Sequence, residues 1–441
     1  MRVTLIRPSF GHAHGRTYDS PARMEPLALG ILAALTPRAI AVTAIDERVE
    51  PIRFDAPTDL VALSVCSFSA KRAYEIAARY RARGIPVVMG GFHPTLVPDE
   101  VAEHADSVAM GDAEVVWPSL LADFSRGKLQ ARYDGTGTTD VPAVAPNRSV
   151  FRRKGYLPIR LVQFSRGCHR ACEFCSIRAF YGGKHVCRPV SDVVEELRSL
   201  GSRRVFFVDD NLLASRARLR SLLEAIVPLR LRWSSQIDLA VADDPELVRL
   251  LTRSGCQSLT IGFESLRTRN LQQMAKAWNA AASYGRRLDT LRRAGVMIYG
   301  TFVFGYDEDD ASAFDEAVDF AIREGMMIAN FNPLQPLPGT PLYRRMEAEG
   351  RLVFDRWWLS EGYQWHMALL KPRGMTPEQL SEGCRKARER FNGLRSAWSR
   401  FLASPAHRRS ADNAAIYWAS NLVSARDIRA KSGLRLGKST P

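Results

Sequence analysis

The 441-residue sequence predicts an α/β protein: a doubly wound, Rossmann-like N-terminal domain, a partial (β/α)6 TIM barrel and a helical C-terminal extension. In two stretches of the chain, short apolar runs alternate with helical patterns of suitable length, a succession typical of parallel sheets with right-handed crossovers. A segment rich in glycine and proline separates the two stretches. We therefore predict domains at 1–125 and 159–344, a linker at 126–158 and the extension at 345–441.

The composition predicts a soluble globular protein, with 46% hydrophobic and 25% charged residues. Its apolar stretches are far shorter than the roughly 20 residues that cross a bilayer, and the N-terminus lacks a signal-peptide core. We expect a cytoplasmic protein without membrane contact. The net charge of +15 comes from 62 scattered Lys and Arg residues, which predicts no nucleic-acid partner. Seven cysteines, three of them in one motif, exclude a disulfide framework.

The N-terminal domain is predicted to contain strands over 2–7, 40–45, 59–65, 86–91 and 108–110, and helices over 27–35, 70–83 and 115–124. Ligands of doubly wound folds lie beyond the carboxyl ends of the strands. The loops 64–69, 90–95 and 111–114 are therefore predicted to border a ligand site, and the pair Gly90-Gly91 allows close approach of the backbone. A GxGxxG fingerprint is absent, which argues against a nicotinamide domain.

The barrel is predicted to contain strands over 160–164, 205–208, 231–237, 258–262, 296–304 and 328–334. Polar residues follow several of these strands, including Asp209, Asp210 and Glu264. Barrel enzymes place their chemistry at the mouth formed by such strand ends. Beyond the barrel, the stretch 412–423 places Ile416, Trp418 and Leu422 on one helical face, which we expect to cover the barrel.

Three cysteines follow the first barrel strand at C-x3-C-x2-C spacing: Cys168, Cys172 and Cys175. Sulfur ligands suit zinc and iron–sulfur clusters, and both centres normally take four protein ligands. Cys187, twelve residues further on, is a candidate fourth ligand. Three cysteines alone would instead leave one iron open for an exogenous ligand. The spacing by itself leaves both interpretations open.

Together with the strand-end residues, the cysteine motif resembles the radical S-adenosylmethionine (radical SAM) superfamily over roughly residues 160–342. The resemblance implies a 4Fe-4S cluster on Cys168, Cys172 and Cys175, with S-adenosylmethionine on the open iron. It also implies formation of a 5'-deoxyadenosyl radical and an electron donor such as flavodoxin or ferredoxin. The S-adenosylmethionine-binding positions that it implies are Asp209, Asp210, Gln236, Glu264, Gly300 and Pro338.

The string GGFHPTLVPDE, followed by GDAEVVWPSLL, resembles the cobalamin-binding domain that precedes many radical SAM cores. The cobalamin-binding positions that this resemblance implies are Ser64, Ser67, Gly90, Gly91, His93 and Glu114. The Asp-x-His-x-x-Gly signature is missing, so we expect no protein histidine below the cobalt. Two alternatives stay open: the domain binds nothing, and His93 only packs its loop.

The architecture resembles the cobalamin-binding radical SAM class, which implies carbon methylation of a small molecule in natural-product or lipid biosynthesis. An alternative is radical dehydration or deoxygenation of an aminoglycoside-type sugar, as in antibiotic biosynthesis, with a partner reductase and without cobalamin chemistry. A third hypothesis is a zinc-stabilised binding module that uses all four cysteines. The candidate substrate-facing residues are Asp238, Asp307 and Cys187.

Overall fold

The computed structural model describes residues 1–13, 16–18, 23–138 and 141–437. Residues 139–140 of the predicted linker and 438–441 of the predicted extension lie outside the described residues. The strands of the N-terminal half are β1 Arg2–Arg7, β2 Gly11–Ala13, β3 Arg16–Thr17, β4 Ala41–Asp46, β5 Leu60–Ser64, β6 Val87–Gly90, β7 Ser107–Gly111 and β8 Arg132–Gly135. Those of the second half are β9 Arg160–Val162, β10 Ser165–Gly167, β11 His185–Cys187, β12 Arg204–Phe207, β13 Arg232–Gln236, β14 Cys256–Glu264, β15 Met297–Phe304, β16 Ile328–Pro333 and β17 Arg435–Leu436.

The helices of the N-terminal half are α1 Leu27–Leu35, α2 Ala70–Arg81, α3 Phe92–Leu96, α4 Pro98–Ala102 and α5 Ala113–Ser125. Those that follow are α6 Ser176–Tyr181, α7 Val190–Ser199, α8 Arg216–Ile226, α9 Pro245–Ser254, α10 Thr268–Gln273, α11 Tyr284–Arg293, α12 Ser312–Arg323 and α13 Pro341–Ala348. The C-terminal helices are α14 Pro377–Asn392, α15 Leu394–Ala403, α16 Pro405–Arg408 and α17 Ala411–Ala430. Short 3-10 turns span Ser67–Ser69, Arg148–Phe151, Leu212–Ala214, Val227–Leu229, Leu239–Asp243 and Ala281–Ser283.

The N-terminal sheet is parallel and has the strand order β4-β1-β5-β6-β7-β8. Strands β4 and β5 pair with opposite edges of β1, so the connection order reverses there, as in doubly wound folds. Helices α1 and α5 cover one face of the sheet. Helix α2 packs on the other face, together with Trp357, Trp358 and Tyr363 of the C-terminal extension. The predicted Rossmann-like architecture is confirmed.

The N-terminal sheet extends past the predicted domain boundary at residue 125. Strand β8 lies within the segment that the sequence assigns to a linker, and it pairs in parallel with β7 through Val108 and Arg132. An added Cβ at Gly135 would lie 2.9 Å from Val116 Cγ1, so close packing requires glycine at this position of the strand. In the sequence, the same glycine is typical of a turn. The boundary prediction is therefore corrected to a point beyond β8.

The second sheet is a partial barrel with the strand order β16-β15-β14-β13-β12-β9, and all its neighbours are parallel. This confirms the predicted (β/α)6 architecture. The mouth of the barrel faces the N-terminal domain. Arg166, just before the cysteine loop, forms ion pairs of 2.8 Å with Asp112 and with Glu114, beyond the end of β7. The carboxyl ends of both sheets therefore meet in one region.

The C-terminal extension contacts both domains, and strand β17 pairs with β2 near the start of the chain. Helix α17 packs against the barrel partly through the face that the sequence predicts. Asn413, Tyr417 and Asn421 are its buried residues, whereas Leu422 is exposed. The prediction is confirmed for Ile416 and Trp418, which pack against the apolar cluster of Met297, Met327, Ala406 and Tyr417, and it is wrong for Leu422. No helix among the described residues combines the length and apolar composition needed to cross a membrane.

Candidate active site

The cysteine loop belongs to a hairpin between β10 and β11, where Ser165 pairs with Cys187 and Gly167 with His185. Gly167 has a φ of +81°, and an added Cβ would lie 2.1 Å from the Lys184 carbonyl oxygen. Only glycine fits this position, because the two strands approach too closely for a side chain. The hairpin carries all three motif cysteines and the short helix α6.

The three cysteines border one cavity of about 140 Å³ at the barrel mouth, which we call the cysteine cavity. Residues at the ends of β12, β13 and β14 complete its wall, as expected for parallel strands whose carboxyl ends share one edge. The residues predicted from sequence that line the cavity are Cys168, Cys172, Cys175, Asp210, Gln236, Asp238 and Glu264.

Strand-end residues hold the base of the cysteine loop. The Asp210 carboxylate accepts a 2.7 Å hydrogen bond from the Gly167 amide, and Gln236 Nε2 donates to the Asp210 carbonyl oxygen at 3.0 Å. Asn211 Nδ2 donates to Cys168 Sγ at 3.8 Å. Burial raises the pKa of the Asp210 carboxyl to about 6. The loop is therefore positioned before any cofactor binds.

Two ion pairs in the cavity wall include residues that the motifs do not indicate. Lys276 Nζ lies 2.7 Å from Glu264 Oε1, and Arg170 lies 2.7 Å from Asp238 Oδ2. The Arg170 guanidinium also stacks 3.7 Å above the Trp278 ring. No motif or periodic pattern indicates Lys276 and Trp278, which follow α10 in an irregular segment.

The wall of the cysteine cavity suits an iron–sulfur cluster with a polar ligand beside it. Arg170 Nε and Trp278 Nε1 are buried donors without a hydrogen-bond partner among the described residues, so they are available to a bound molecule. Burial raises the pKa of the Cys172 thiol to about 11 and also raises that of Cys175. Binding of a metal would release those protons, because the thiolate is the ligand.

Cys187 does not border the cysteine cavity. It faces a separate small cavity lined by residues such as Pro142 and Pro189, and its Sγ lies 3.8 Å from His185 Nδ1. Among the described residues, no three His, Cys, Asp or Glu side chains converge closely enough to hold a single metal ion. This placement argues against both a four-cysteine zinc site and a substrate-facing role for Cys187.

Asp209, next to Asp210, points away from the cysteine cavity. Its carboxylate is buried and accepts hydrogen bonds from the Phe164 amide at 3.1 Å and from the amide and hydroxyl of Ser165. Adjacent residues at a strand end project to opposite sides, so only one of the two aspartates reaches the cavity. Asp209 therefore anchors the segment before the cysteine loop, which corrects its predicted role in cofactor binding.

Three further predicted residues also lie outside the cysteine cavity. An added Cβ at Gly300 would meet Met326 Sδ at 2.5 Å, so this glycine serves packing within the barrel. Pro338 is buried in the loop after β16, beside Gly339. Asp307, a predicted substrate residue, is held by Arg351 at 2.9 Å and by Gln273 at 2.7 Å. The cofactor-binding roles of Gly300 and Pro338 stay predictions, and the Asp307 carboxylate is engaged by Arg351 and Gln273.

A second cavity of about 400 Å³, which we call the N-terminal cavity, lies at the carboxyl ends of β1, β5, β6 and β7. This volume is within the range of roughly 300–1,000 Å³ common for ligand pockets. Four predicted cobalamin residues line it: Ser64, Gly90, Gly91 and Glu114. The barrel contributes Gln163, Arg166, Phe180, Tyr181 and Val208. The cavity is therefore built by both domains.

His93 and Ser67 do not line the N-terminal cavity. His93 is fully buried, with Nδ1 3.2 Å from Ser67 Oγ and Nε2 3.2 Å from Glu100 Oε1. Burial opposes ionisation of Glu100, but hydrogen bonds from His93, Tyr74 and Trp358 leave its pKa below the usual value. The two residues therefore belong to a packing network, which corrects their predicted role as cobalamin contacts.

Helix α6 separates the two cavities. Ile177 and Arg178 line the cysteine cavity, and Phe180 and Tyr181 at the end of the same helix line the N-terminal cavity. Phe180 packs against Phe92 of the N-terminal domain with ring centroids 4.5 Å apart. A ligand in either cavity thus lies against the same short segment of chain.

The sequence and fold match known proteins that share this arrangement. The family model of the radical SAM superfamily matches residues 162–321. The chain is 32% identical to the bacteriochlorophyllide d C-12(1)-methyltransferase of Chlorobaculum tepidum, over 85% of this chain and 84% of that protein. It is 27% identical to the hopanoid C-2 methylase of Rhodopseudomonas palustris, over 80% of this chain and 70% of that protein.

The fold is also that of a solved radical S-adenosylmethionine methyltransferase, TsrM from Kitasatospora setae, whose structure contains cobalamin and a [4Fe-4S] cluster. The TM-score is 0.65 at 18% identity, over 98% of this chain and 99% of that chain. These matches, together with the cysteine cavity at the mouth of a partial barrel, place the protein in the class of radical SAM enzymes. The chain belongs to the radical SAM superfamily and is an enzyme of its methyltransferase type. The cofactors of this superfamily are a 4Fe-4S cluster and S-adenosylmethionine.

Proposed function

We propose that the protein is a cobalamin-dependent radical SAM enzyme that methylates a carbon atom of a small molecule from lipid or natural-product biosynthesis. The observation that carries the proposal is the position of the N-terminal cavity, separated from the cysteine cavity only by α6. Two cofactors in these cavities would lie close enough to act on one substrate. The relatives named above act on a bacteriochlorophyllide and on a hopanoid.

The N-terminal cavity has the chemistry that a corrin requires. Apolar residues such as Ile31 and Trp117 suit the flat faces of the macrocycle, and the backbone at Gly90 and Gly91 leaves room for close approach. Asp112 and Glu114 supply carboxylate oxygens that accept hydrogen bonds from amide side chains. No histidine is among the residues that line the cavity, so its wall offers no imidazole ligand to cobalt.

When bound, the cluster and S-adenosylmethionine supply the 5'-deoxyadenosyl radical, and cobalamin supplies a carrier for the methyl group. The protein's own contribution is binding, orientation and exclusion of water. Cys168, Cys172 and Cys175 would hold the cluster. The buried donors without a protein partner, Arg170 Nε and Trp278 Nε1, suit the carboxylate of the methionine part of S-adenosylmethionine.

Sugar deoxygenation without cobalamin receives less support from the geometry. A cationic aminosugar would need free carboxylates near the radical. Asp238 is paired with Arg170, and Asp307 is paired with Arg351. Asp210 accepts its hydrogen bond from Gly167. The candidate carboxylates are thus engaged within the protein.

The test is anaerobic reconstitution of the purified protein with iron, sulfide and hydroxocobalamin, followed by desalting and by measurement of bound corrin from its visible spectrum. We expect one corrin per chain. A protein that assembles its cluster but retains no corrin would contradict the proposal. An electron donor such as flavodoxin or ferredoxin is needed only for turnover, so this binding test does not depend on it.

A further inference from the structure

Helices α15 and α17 bury several polar side chains and expose several large apolar ones. The buried residues of α15 include Ser396 and Arg400, and those of α17 are Asn413, Tyr417 and Asn421. Four of the six large apolar side chains that are exposed among the described residues lie on these two helices. They are Leu394 at 79%, Trp398 at 55%, Leu402 at 59% and Leu422 at 53% exposure.

Hydrogen bonds hold the polar side chains that these helices bury. Arg400 donates to the carbonyl oxygens of Met326 and Met327 at 2.9 and 2.8 Å, and to Asn421 Oδ1 at 2.8 Å. Its guanidinium also stacks 3.8 Å from the Phe391 ring. A surface helix normally places its apolar stripe inward. The outward apolar stripes therefore need a different explanation.

Four exposed residues and one half-buried residue form one surface, which we call the apolar face: Leu394, Trp398, Leu402 and Leu422, with the half-buried Trp418 between the helices. Trp398 and Trp418 join the two helices with ring centroids 4.7 Å apart. The remaining exposed residues of α17 before Leu422 are alanines, namely Ala411, Ala415 and Ala419. Contiguous exposed apolar surface of this kind marks an interaction site.

The exposed charged residues of α15 and α17 themselves are all arginines. Arg395 is exposed beside Leu394, and Arg426 and Arg429 continue the exposed side of α17 beyond Leu422. None of these three arginines has a carboxylate partner among the described residues. The two acidic residues of α17 are engaged elsewhere, Asp412 with Arg204 and Asp427 with Lys431. In the described residues, the two helices therefore combine exposed Trp and Leu with arginines that have no carboxylate partner, and they carry no exposed carboxylate of their own.

We propose that the apolar face docks on the surface of a membrane that contains anionic lipids. Tryptophan and leucine insert at the boundary between headgroups and acyl chains, and flanking arginines bind anionic headgroups. A second copy fits this face poorly, because the arginine side chains would meet like charges. A reductant bound here would be remote from the cluster, since Gln257 and Met327, at the amino ends of barrel strands, contact α17. The cysteine cavity lies at the opposite ends of the strands.

The experiment is flotation of the purified full-length protein with phosphatidylcholine vesicles that contain or lack phosphatidylglycerol. We expect binding to the anionic vesicles that weakens as salt is raised. Two variants should each bind the anionic vesicles at least about tenfold more weakly than the wild type. One is Trp398→Ser/Leu422→Ser, and the other is Arg395→Gln/Arg426→Gln/Arg429→Gln. Met367→Ser, which removes an exposed apolar side chain outside the face, should bind like the wild type.

Three outcomes would overturn the proposal: no binding to either vesicle, equal binding by the wild type and the Trp398→Ser/Leu422→Ser variant, or a dimer that this variant abolishes. Thermal melts by circular dichroism show whether the variants fold. If the Trp398→Ser/Leu422→Ser variant does not fold, the arginine variant still tests the proposal. The measurement needs no cobalamin or substrate, so its result does not depend on whether the proposed reaction is correct.

Discussion

At the scale of single residues, the four cysteines near the barrel mouth have different roles. Replacing Cys168, Cys172 or Cys175 by alanine should reduce bound iron from about four per chain to near zero, because each borders the cysteine cavity. Cys187→Ala should leave the iron content unchanged, since Cys187 faces another cavity. Iron analysis and the visible spectrum after anaerobic reconstitution measure both effects. Loss of iron in Cys187→Ala would show that Cys187 is a ligand.

Gly167 tests how the backbone positions the cysteine loop. Gly167→Ala should separate β10 from β11 and strongly reduce cluster assembly, because its Cβ would lie 2.1 Å from a carbonyl oxygen. Gly182→Ala, in the same hairpin, is the matched control: it also has positive φ, but nothing lies within 4 Å of an added Cβ. We expect Gly182→Ala to lose about 1 kcal/mol of unfolding free energy and to keep its cluster. Equal iron loss in both variants would contradict this account.

His407 predicts a pH dependence of stability. Burial lowers its pKa to about 4, so the folded imidazole is neutral while the unfolded one binds a proton near its usual 6.5. Its contribution to stability is complete above that usual value and declines as pH falls towards 4. Between about pH 7 and pH 5, the free energy of unfolding should fall by about 2 kcal/mol through this residue.

His407→Gln should remove this dependence, because glutamine does not titrate and can still donate to the Arg400 carbonyl oxygen, which His407 Nδ1 approaches to 3.1 Å. Urea unfolding of both proteins at the two pH values measures the difference. If the wild type and the variant lost the same free energy on acidification, His407 would not be the titrating group.

At the scale of helices and strands, the sequence predicted most boundaries because apolar runs end at recognisable caps. Helix α9 illustrates this: the Asp244 side chain accepts hydrogen bonds from the amides of Glu246 and Leu247, and Gly255 ends the helix at φ +92°. Strand β8 was not predicted because it has only four residues and because its glycine is typical of a turn. The outward position of Leu422 on α17 was mispredicted because Asn413 and Asn421 hold another side of the helix to the barrel through hydrogen bonds.

Side-chain roles were less predictable than elements. The strand-end rule placed Asp210, Gln236 and Glu264 at the cysteine cavity, since parallel strands bring their carboxyl ends together. The strand-end rule could not predict that Asp209 points away from the cysteine cavity, because this depends on the direction of one side chain. Lys276 and Trp278 reach the cavity through tertiary folding of an irregular segment, which leaves no periodic signal in the sequence.

At the scale of the whole molecule, Arg166 couples the two domains. Arg166→Gln would leave Asp112 and Glu114 near each other without their cation, which should lower the free energy of unfolding by about 3 kcal/mol. The triple variant Arg166→Gln/Asp112→Asn/Glu114→Gln should recover part of that loss, because no charge remains uncompensated. Denaturant unfolding measures both values. A triple variant less stable than the single one would contradict a mainly electrostatic role.

The central claim is that the N-terminal cavity holds a corrin beside the cysteine cavity. Ala28 and Ala34 are both exposed on α1, but only Ala28 lines the cavity. The most direct measurement is the number of corrins retained per chain by Ala28→Trp, with Ala34→Trp as the matched control. We predict that Ala28→Trp retains little corrin but keeps its iron, whereas Ala34→Trp retains one corrin per chain. Equal corrin retention by the two variants would contradict the claim.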